Sequence, residues 1–300
     1  QHLNQSGVGV RRTRINTSTM KLYTEEAIQA FYHLKKLKST ITIVVLDLLF
    51  LLLYGFVKGA PEISGFMGKT YQYLKVFLNL ISENAKNLTE DAARKISVFE
   101  LIQQNDIIAQ YFYLILLTLF LFAIATYILY SIIEGSAWWH SYKLINKEIS
   151  YKRFIIQFTA ITFPFYLGII LLALLSFIDT FRALTLERLQ VAAPIGLRIV
   201  MLILGLIIIY FGSIAYSLIG KESAWKTVKK SIKIGFKKFH KYFPAFLLIF
   251  IVFFLLNFIA LFLGNISPIV MLIVGIVLIF PSITWARIYS KLVLDRILNQ

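Results

Sequence analysis

The sequence predicts an all-α, polytopic membrane protein: six transmembrane helices as three pseudo-repeated hairpins with interfacial amphipathic helices. Three observations predict it. Hydrophobic residues make up 58% of the 300-residue chain and charged residues only 15%, where soluble domains carry about 25% charged. Six apolar stretches approach or reach the roughly 20 residues a helix needs to cross a hydrocarbon layer of about 30 Å. Basic, amphipathic segments precede the odd-numbered stretches. The chain has no cysteine, which excludes disulfide frameworks, thiolate zinc sites and cysteine nucleophiles.

The six expected spans are Ser39–Val57, Tyr111–Tyr130, Ile155–Phe177, Pro194–Tyr216, Phe243–Leu263 and Ile266–Tyr289. The first follows Lys35, Lys36 and Lys38, as the core of a signal peptide would. Its apolar run exceeds the roughly 7–15 residues of such a core, and Val57-Lys58-Gly59-Ala60-Pro61 is a poor cleavage site, so it reads as a true span. The expected organisation is a flexible tail over 1–19, then a first hairpin at 20–133 with an outer helical lid at 59–110. A second hairpin follows at 134–219 and a third at 220–300.

Orientation follows from basic residues. Segments 1–38, 134–154, 220–242 and 286–300 hold 22 of the 31 lysines and arginines, and the loops on the other side hold 9. Excess positive charge in short loops marks the cytoplasmic face, so both termini are expected there, in a multi-pass protein of the plasma membrane.

The segment at 222–243 is the clearest amphipathic one. Trp225, Val228, Ile232, Phe236, Phe239 and Phe243 recur at three- and four-residue steps, while Lys226, Lys229, Lys230, Lys233, Lys237, Lys238 and Lys241 fill the remainder. Rings on one side and ammonium groups on the other suit a helix at an anionic lipid surface. Segments 136–154 (Trp138, Tyr142, Ile145, Ile149) and 24–38 (Ala27, Phe31, Leu34, Leu37) repeat the pattern more weakly. Nucleic acid is not an expected partner, because the membrane already occupies the apolar face.

Self-similarity supports the triple hairpin. Tyr130-Ser131 closes the second span and leads to Ser136-Ala137-Trp138; Tyr216-Ser217 closes the fourth and leads to Ser223-Ala224-Trp225; Tyr289-Ser290 closes the sixth. Units that each cross the membrane twice share one orientation and would be related by an axis along the membrane normal.

Asp47 lies about 12 Å into the first span at 1.5 Å per residue, and an ionisable residue at such depth needs a named partner. Depth alone nominates Thr162 beside Pro164 and Ser282 beside Pro281, with Thr118 slightly deeper. Asp47, Thr162 and Ser282 are therefore the expected intramembrane polar residues, either as helix-joining glue or as a site for a proton or small cation. Arg198 is expected to snorkel at the outer interface, and Asn257 to bond between helices.

In the outer loop, Met67, Tyr71, Leu74, Leu78 and Ile81 form one helical face, opposite Phe66, Tyr73, Phe77 and Leu80. Thr89 is placed to cap a following helix through Ala92, Ile96 and Phe99. Asn87-Leu88-Thr89 and Asn265-Ile266-Ser267 match the short glycosylation pattern. No phosphate-binding loop or zinc-protease motif occurs, and His2, His33, His140 and His240 are scattered. No catalytic residue, cofactor or metal is expected, and Glu134 and Glu148 are expected to pair with local lysines.

Six spans with basic amphipathic helices carrying Ser-Ala-Trp resemble a broad group of prokaryotic six-span membrane proteins, like the membrane domain of some glycerophosphoryl diester phosphodiesterases. The resemblance covers about residues 20–295 and implies a role tied to lipids or envelope upkeep. It carries over no catalytic residue, and the long 59–110 loop departs from the compact plan. The expected function is non-enzymatic: engagement of anionic headgroups by the basic helices, organising the membrane or supporting a membrane-protein partner or homo-oligomer. The alternative is a transporter or channel for a small solute or ion with Asp47 in the pathway.

Overall fold

The computed structural model describes residues 17–59, 65–86, 102–145, 149–188, 196–220, 222–265 and 267–299. Their regular structure is helical throughout. In order these are α1 (Thr17–His33), α2 (Leu37–Lys58), α3 (Phe66–Lys86), α4 (Asp106–Leu144), α5 (Tyr151–Arg188) and α6 (Gly196–Ser217). Then come α7 (Ala224–Lys237), α8 (Phe239–Gly264), α9 (Pro268–Val274), a π-turn (Gly275–Ile279) and α10 (Phe280–Leu298). Six helical segments are long and apolar enough to cross a bilayer, and each overlaps one of the six expected spans, the last lying at Gly275–Leu298 rather than Ile266–Tyr289. This is an all-α integral membrane protein. The expected cap at Thr89 with its helix, Asn87-Leu88-Thr89, Ile266 and Glu148 lie outside the described residues.

Several boundaries move, each for a local reason. α4 starts earlier than the apolar run because Asn105 caps it, its side chain accepting from the backbone N–H groups of Ile107 at 3.0 Å and Ile108 at 3.2 Å. Such a cap stabilises a helix by about 1 kcal/mol. At its other end α4 continues without a break through the Ser136-Ala137-Trp138 segment to Leu144. The expected interfacial helix at 136–154 is thus not a separate element: its first part extends α4 and its last part opens α5. Nothing in Ile133-Glu134-Gly135-Ser136 forces a stop. By contrast Gly220, at φ +89°, turns the chain out of α6 in a conformation that side chains resist, so α7 begins as a new helix.

The outer segment also differs from the expected lid. α3 packs lengthwise against the first turns of α4: Tyr73 meets Tyr111, Phe77 meets Phe112, and the Thr70 and Thr118 hydroxyls lie 2.9 Å apart. Phe77 and Ile81 are buried in this contact while Tyr71 is exposed. α2 pairs with α4 further along, Tyr54 against Phe122 and Phe50 against Tyr130. α4 therefore projects past the end of α2, and α3 stands beside the projection rather than across the bundle. The buried strip takes Phe77, Tyr73 and Leu80 from one expected face and Leu74 and Ile81 from the other, so α3 packs along the line between them.

The main core lies at the end of the bundle that carries α1, the start of α2, the ends of α4 and α10, and α7; this is the proximal end below. Ala30, Ile43, Leu144, Ile214, Tyr242, Ile288, Tyr289, Val293 and Ile297 are buried there in one cluster. A neighbouring cluster adds Trp138, Tyr142, Phe154, Phe158, Ile161 and Ala215. Half of the hydrophobic window of the last span is buried, against 6% for α8, whose Phe250, Phe254, Phe258 and Phe262 point outward. α10 is the central helix of the proximal half, and α8 presents itself to lipid almost all round. Outward-facing apolar side chains are stable there because hydrocarbon surrounds them.

Candidate functional site

Two features at the proximal end concentrate the chemistry. The first is a buried charge cluster. Asp47 projects from α2, Glu134 from α4 and Arg287 from α10. The Arg287 guanidinium donates from Nη1 to Asp47 Oδ2 at 3.0 Å and from Nη2 to Asp47 Oδ1 at 2.7 Å, a bidentate fork. Its Nη2 also donates to Glu134 Oε2 at 2.6 Å. One cation thereby ties three spans together. The fork-to-carboxylate fit is available to arginine and not to lysine.

One turn further along α10, Lys291 is fully buried, donating to the Ser217 carbonyl at 2.6 Å and to Asp295 Oδ1 at 3.0 Å. Its ammonium lies 5.0 Å from the centre of the Tyr142 ring. Arg287, Lys291 and Asp295 thus line one face of α10 at four-residue steps, as helical periodicity requires. Around them Tyr142 donates to the Tyr216 carbonyl at 2.7 Å, and the Ser213 and Tyr242 hydroxyls lie 3.2 Å apart. α10 is also clasped by α1, where Arg296 bonds Glu25 and Glu26 at 3.0 and 2.9 Å and Trp285 Nε1 donates to the Ala27 carbonyl at 3.1 Å.

The expected polar layer does not assemble. Asp47 is buried, as its depth demanded, but its partner is Arg287. Thr162 is buried on α5 beside Tyr216. Ser282 is half-buried and returns its hydroxyl to the Leu278 carbonyl of its own helix at 2.7 Å. Asn257 does likewise, donating to Phe253 at 2.9 Å rather than to another helix. Arg198 bonds the buried Asp179 at 3.2 Å instead of only snorkelling. Glu134 pairs with Arg287 and, among the described residues, with no lysine.

In the sequence Arg287 and Lys291 look like basic residues flanking a span, so composition alone does not nominate them. One signal would have separated them. Arg287, Lys291 and Asp295 repeat every fourth residue along a helix that is otherwise apolar on that face.

The second feature is α7, whose circumference divides into three sectors at about 100° per residue. Thr227, Val228, Ser231, Ile234 and Gly235 are buried against the bundle. Trp225, Ile232 and Phe236 are exposed, at 63%, 42% and 71%. Lys226, Lys229, Lys233 and Lys237 fill the third sector, also exposed. The expected single apolar face is therefore split: Val228 turns inward while Trp225, Ile232, Phe236, Phe239 and Phe243 stay outside. The seven lysines divide too. Lys230 is ion-paired to Glu222, Lys238 donates to the Ile297 carbonyl at 2.6 Å, and Lys241 is half-buried where Tyr23 donates to its carbonyl at 2.7 Å. Among the described residues no carboxylate lies within ion-pair distance of Lys226, Lys229, Lys233 or Lys237.

Gly235 makes the close seating of α7 feasible. A β-carbon there would stand 2.4 Å from the Phe211 ring, and the Gly235 carbonyl accepts from the Tyr210 hydroxyl at 3.1 Å. The Ser-Ala-Trp segments end up unlike each other: Trp138 is buried against Tyr216 at 5.6 Å between ring centres, whereas Trp225 faces outward.

No protein-family model, curated protein or solved structure matches this chain. Its class, a multi-pass all-α integral membrane protein, rests on its own helices.

Proposed function

We propose that this protein is a non-enzymatic membrane module of the plasma membrane, with both termini cytoplasmic, that engages anionic lipid headgroups through α7. The observation that carries the reading is the three-sector helix. Its inner sector is seated on the bundle, which fixes the rotation of the other two. Trp225, Ile232 and Phe236 then enter the boundary between headgroups and acyl chains, and the adjacent Lys226, Lys229, Lys233 and Lys237 meet the phosphates. Each such lysine contributes about 1 kcal/mol near an anionic cytoplasmic leaflet, so four acting independently contribute on the order of 4 kcal/mol. The charge asymmetry of the loops supports the cytoplasmic placement of both termini. It survives subtraction of the buried Arg287 and Lys291, since the remaining segments on that side still hold 20 basic residues against 9. A role in organising the bilayer or in supporting a membrane partner follows from a surface that gathers anionic lipid.

The test uses the whole chain in nanodiscs of mixed phosphatidylcholine and phosphatidylglycerol, with lipid retention followed by native mass spectrometry after transfer to mild detergent. The protein is expected to retain phosphatidylglycerol preferentially, and the preference is expected to fall with added salt and in the K226Q/K229Q/K233Q/K237Q variant. Equal retention of both lipids by the wild type, or an unchanged preference in the variant, refutes the reading.

A further inference from the structure

The charge cluster holds two carboxyl groups and one guanidinium, so with both carboxyls ionised it carries a surplus negative charge inside the bundle. We infer that Glu134 is a proton-binding site, whose carboxyl takes up and releases one proton and thereby switches the α2–α4–α10 junction between a neutral and a charged state. The inference is independent of the lipid reading of α7.

Geometry assigns the proton to Glu134 and not to Asp47. Both oxygens of Asp47 are taken by the Arg287 fork. Glu134 gives only Oε2 to Arg287, and its carboxyl lies within hydrogen-bond reach of the Asp47 carboxylate, a contact that only a proton makes favourable. A proton carried by Glu134 leaves all three Arg287 bonds intact and gives the two carboxyls a hydrogen to share. Glu134 is also the most accessible of the three, its side chain 12% exposed against 2% for Asp47 and 6% for Arg287.

The neighbours on each packed element leave the surplus in place. From α4 itself Tyr130 stands one turn away, and from α6 Tyr216 stands beside Tyr130; a phenol brings no cation to offset the surplus. From α2 comes Asp47, of the same sign. From α10 comes Arg287, already shared, while the ammonium of Lys291 on the next turn is held by Asp295 and the Ser217 carbonyl. An unneutralised charge in such surroundings is costly, and taking a proton is the ordinary way to remove it. A metal cation would meet the guanidinium that already fills the space between the carboxyls, whereas a proton needs one oxygen lone pair. The step is simple: a proton from solvent forms an O–H bond on the Glu134 carboxyl, and the same bond breaks on release.

The experiment is acid-minus-alkaline difference infrared spectroscopy of the whole protein in zwitterionic vesicles, which leaves the lysine sector without anionic lipid. The pH would run from about 4 to about 9, bracketing ordinary carboxyl titration. The expected result is a protonated-carboxyl C=O band that shifts in heavy water, is lost in E134Q and persists in E25Q, a control at the exposed α1 carboxyl. A band that survives E134Q unchanged, or no such band in the wild type, overturns the inference. The amide of E134Q stands in for the protonated carboxyl, so the variant is expected to fold and to match the wild-type melting temperature at the acidic end while exceeding it at the alkaline end. An E134Q chain that fails to fold overturns the inference as well.

Discussion

Replacing Arg287 with methionine keeps a long, flexible side chain on α10 while deleting the cation that three spans share. The change removes three hydrogen bonds, at 3.0, 2.7 and 2.6 Å. It leaves Asp47, 2% exposed, and Glu134 facing each other with no partner. Removing one member of a buried ion pair costs about 3–5 kcal/mol, mostly from the charge left behind. Two carboxyls are stranded here, so R287M is expected at the upper end of that range. The same physics predicts a rescue: D47L/E134M/R287M strands no charge, and well-packed apolar replacement of a buried charge cluster is often neutral or stabilising by about 1–4 kcal/mol. The assay is reversible unfolding of the purified protein in mixed micelles with increasing sodium dodecyl sulfate, followed by far-ultraviolet circular dichroism. An R287M chain within about 1 kcal/mol of wild type would refute the reasoning, as would a triple variant no more stable than R287M, since the penalty was assigned to uncompensated charge.

Three further predictions concern other parts of the proximal end. G235A puts a β-carbon where the Phe211 ring already lies, 2.4 Å away. It is expected to cost about 1–3 kcal/mol and to speed proteolysis between α6 and α7, read by gel. Trp225 is 63% exposed whereas Trp138 is 7% exposed, so brominated lipids are expected to quench tryptophan fluorescence in the wild type and much less in W225F; equal quenching in the two would contradict the outward orientation of α7. Burial, with Lys36 nearby, holds the His33 imidazole below its usual range. A base held low in the folded state contributes stability at neutral pH that is lost as the pH falls below about 6.5. Melting temperature is therefore expected to drop on acidification in the wild type and to drop less in H33Q.

Much of the fold was legible because its causes are local. The length and composition of an apolar run decide whether a helix can cross the bilayer, and those are read directly from residues such as 243–263. The count of lysines and arginines in the loops depends on sequence alone. Even so, the boundary between span and interfacial helix was readable only where a break is encoded, as at Gly220. Where nothing interrupts the helix, as from Tyr130 to Leu144, a change from apolar to mixed composition resembles a change of element although the helix runs on.

The site was legible only in halves. Asp47 stood out because a carboxyl deep in a span is expensive, but its partner lies 240 residues away, on a helix end that looked like an ordinary basic flank. Thr162 and Ser282 were nominated by depth, which says how far along a helix a residue lies and nothing of which way it faces.

What the sequence by itself determined is the solvent of this protein and the number of times the chain enters it. Hydrophobicity and its period belong to single segments, and each segment's partition into the bilayer is settled nearly alone. The tertiary structure decided which polar groups meet. It turned Arg287 inward to fork onto Asp47 and Glu134, and it seated α7 on Phe211 so that one sector of lysines faces out. Those outcomes depend on the rotation of each helix about its own axis, which is set by packing against neighbours distant in the chain. No local pattern carries that information.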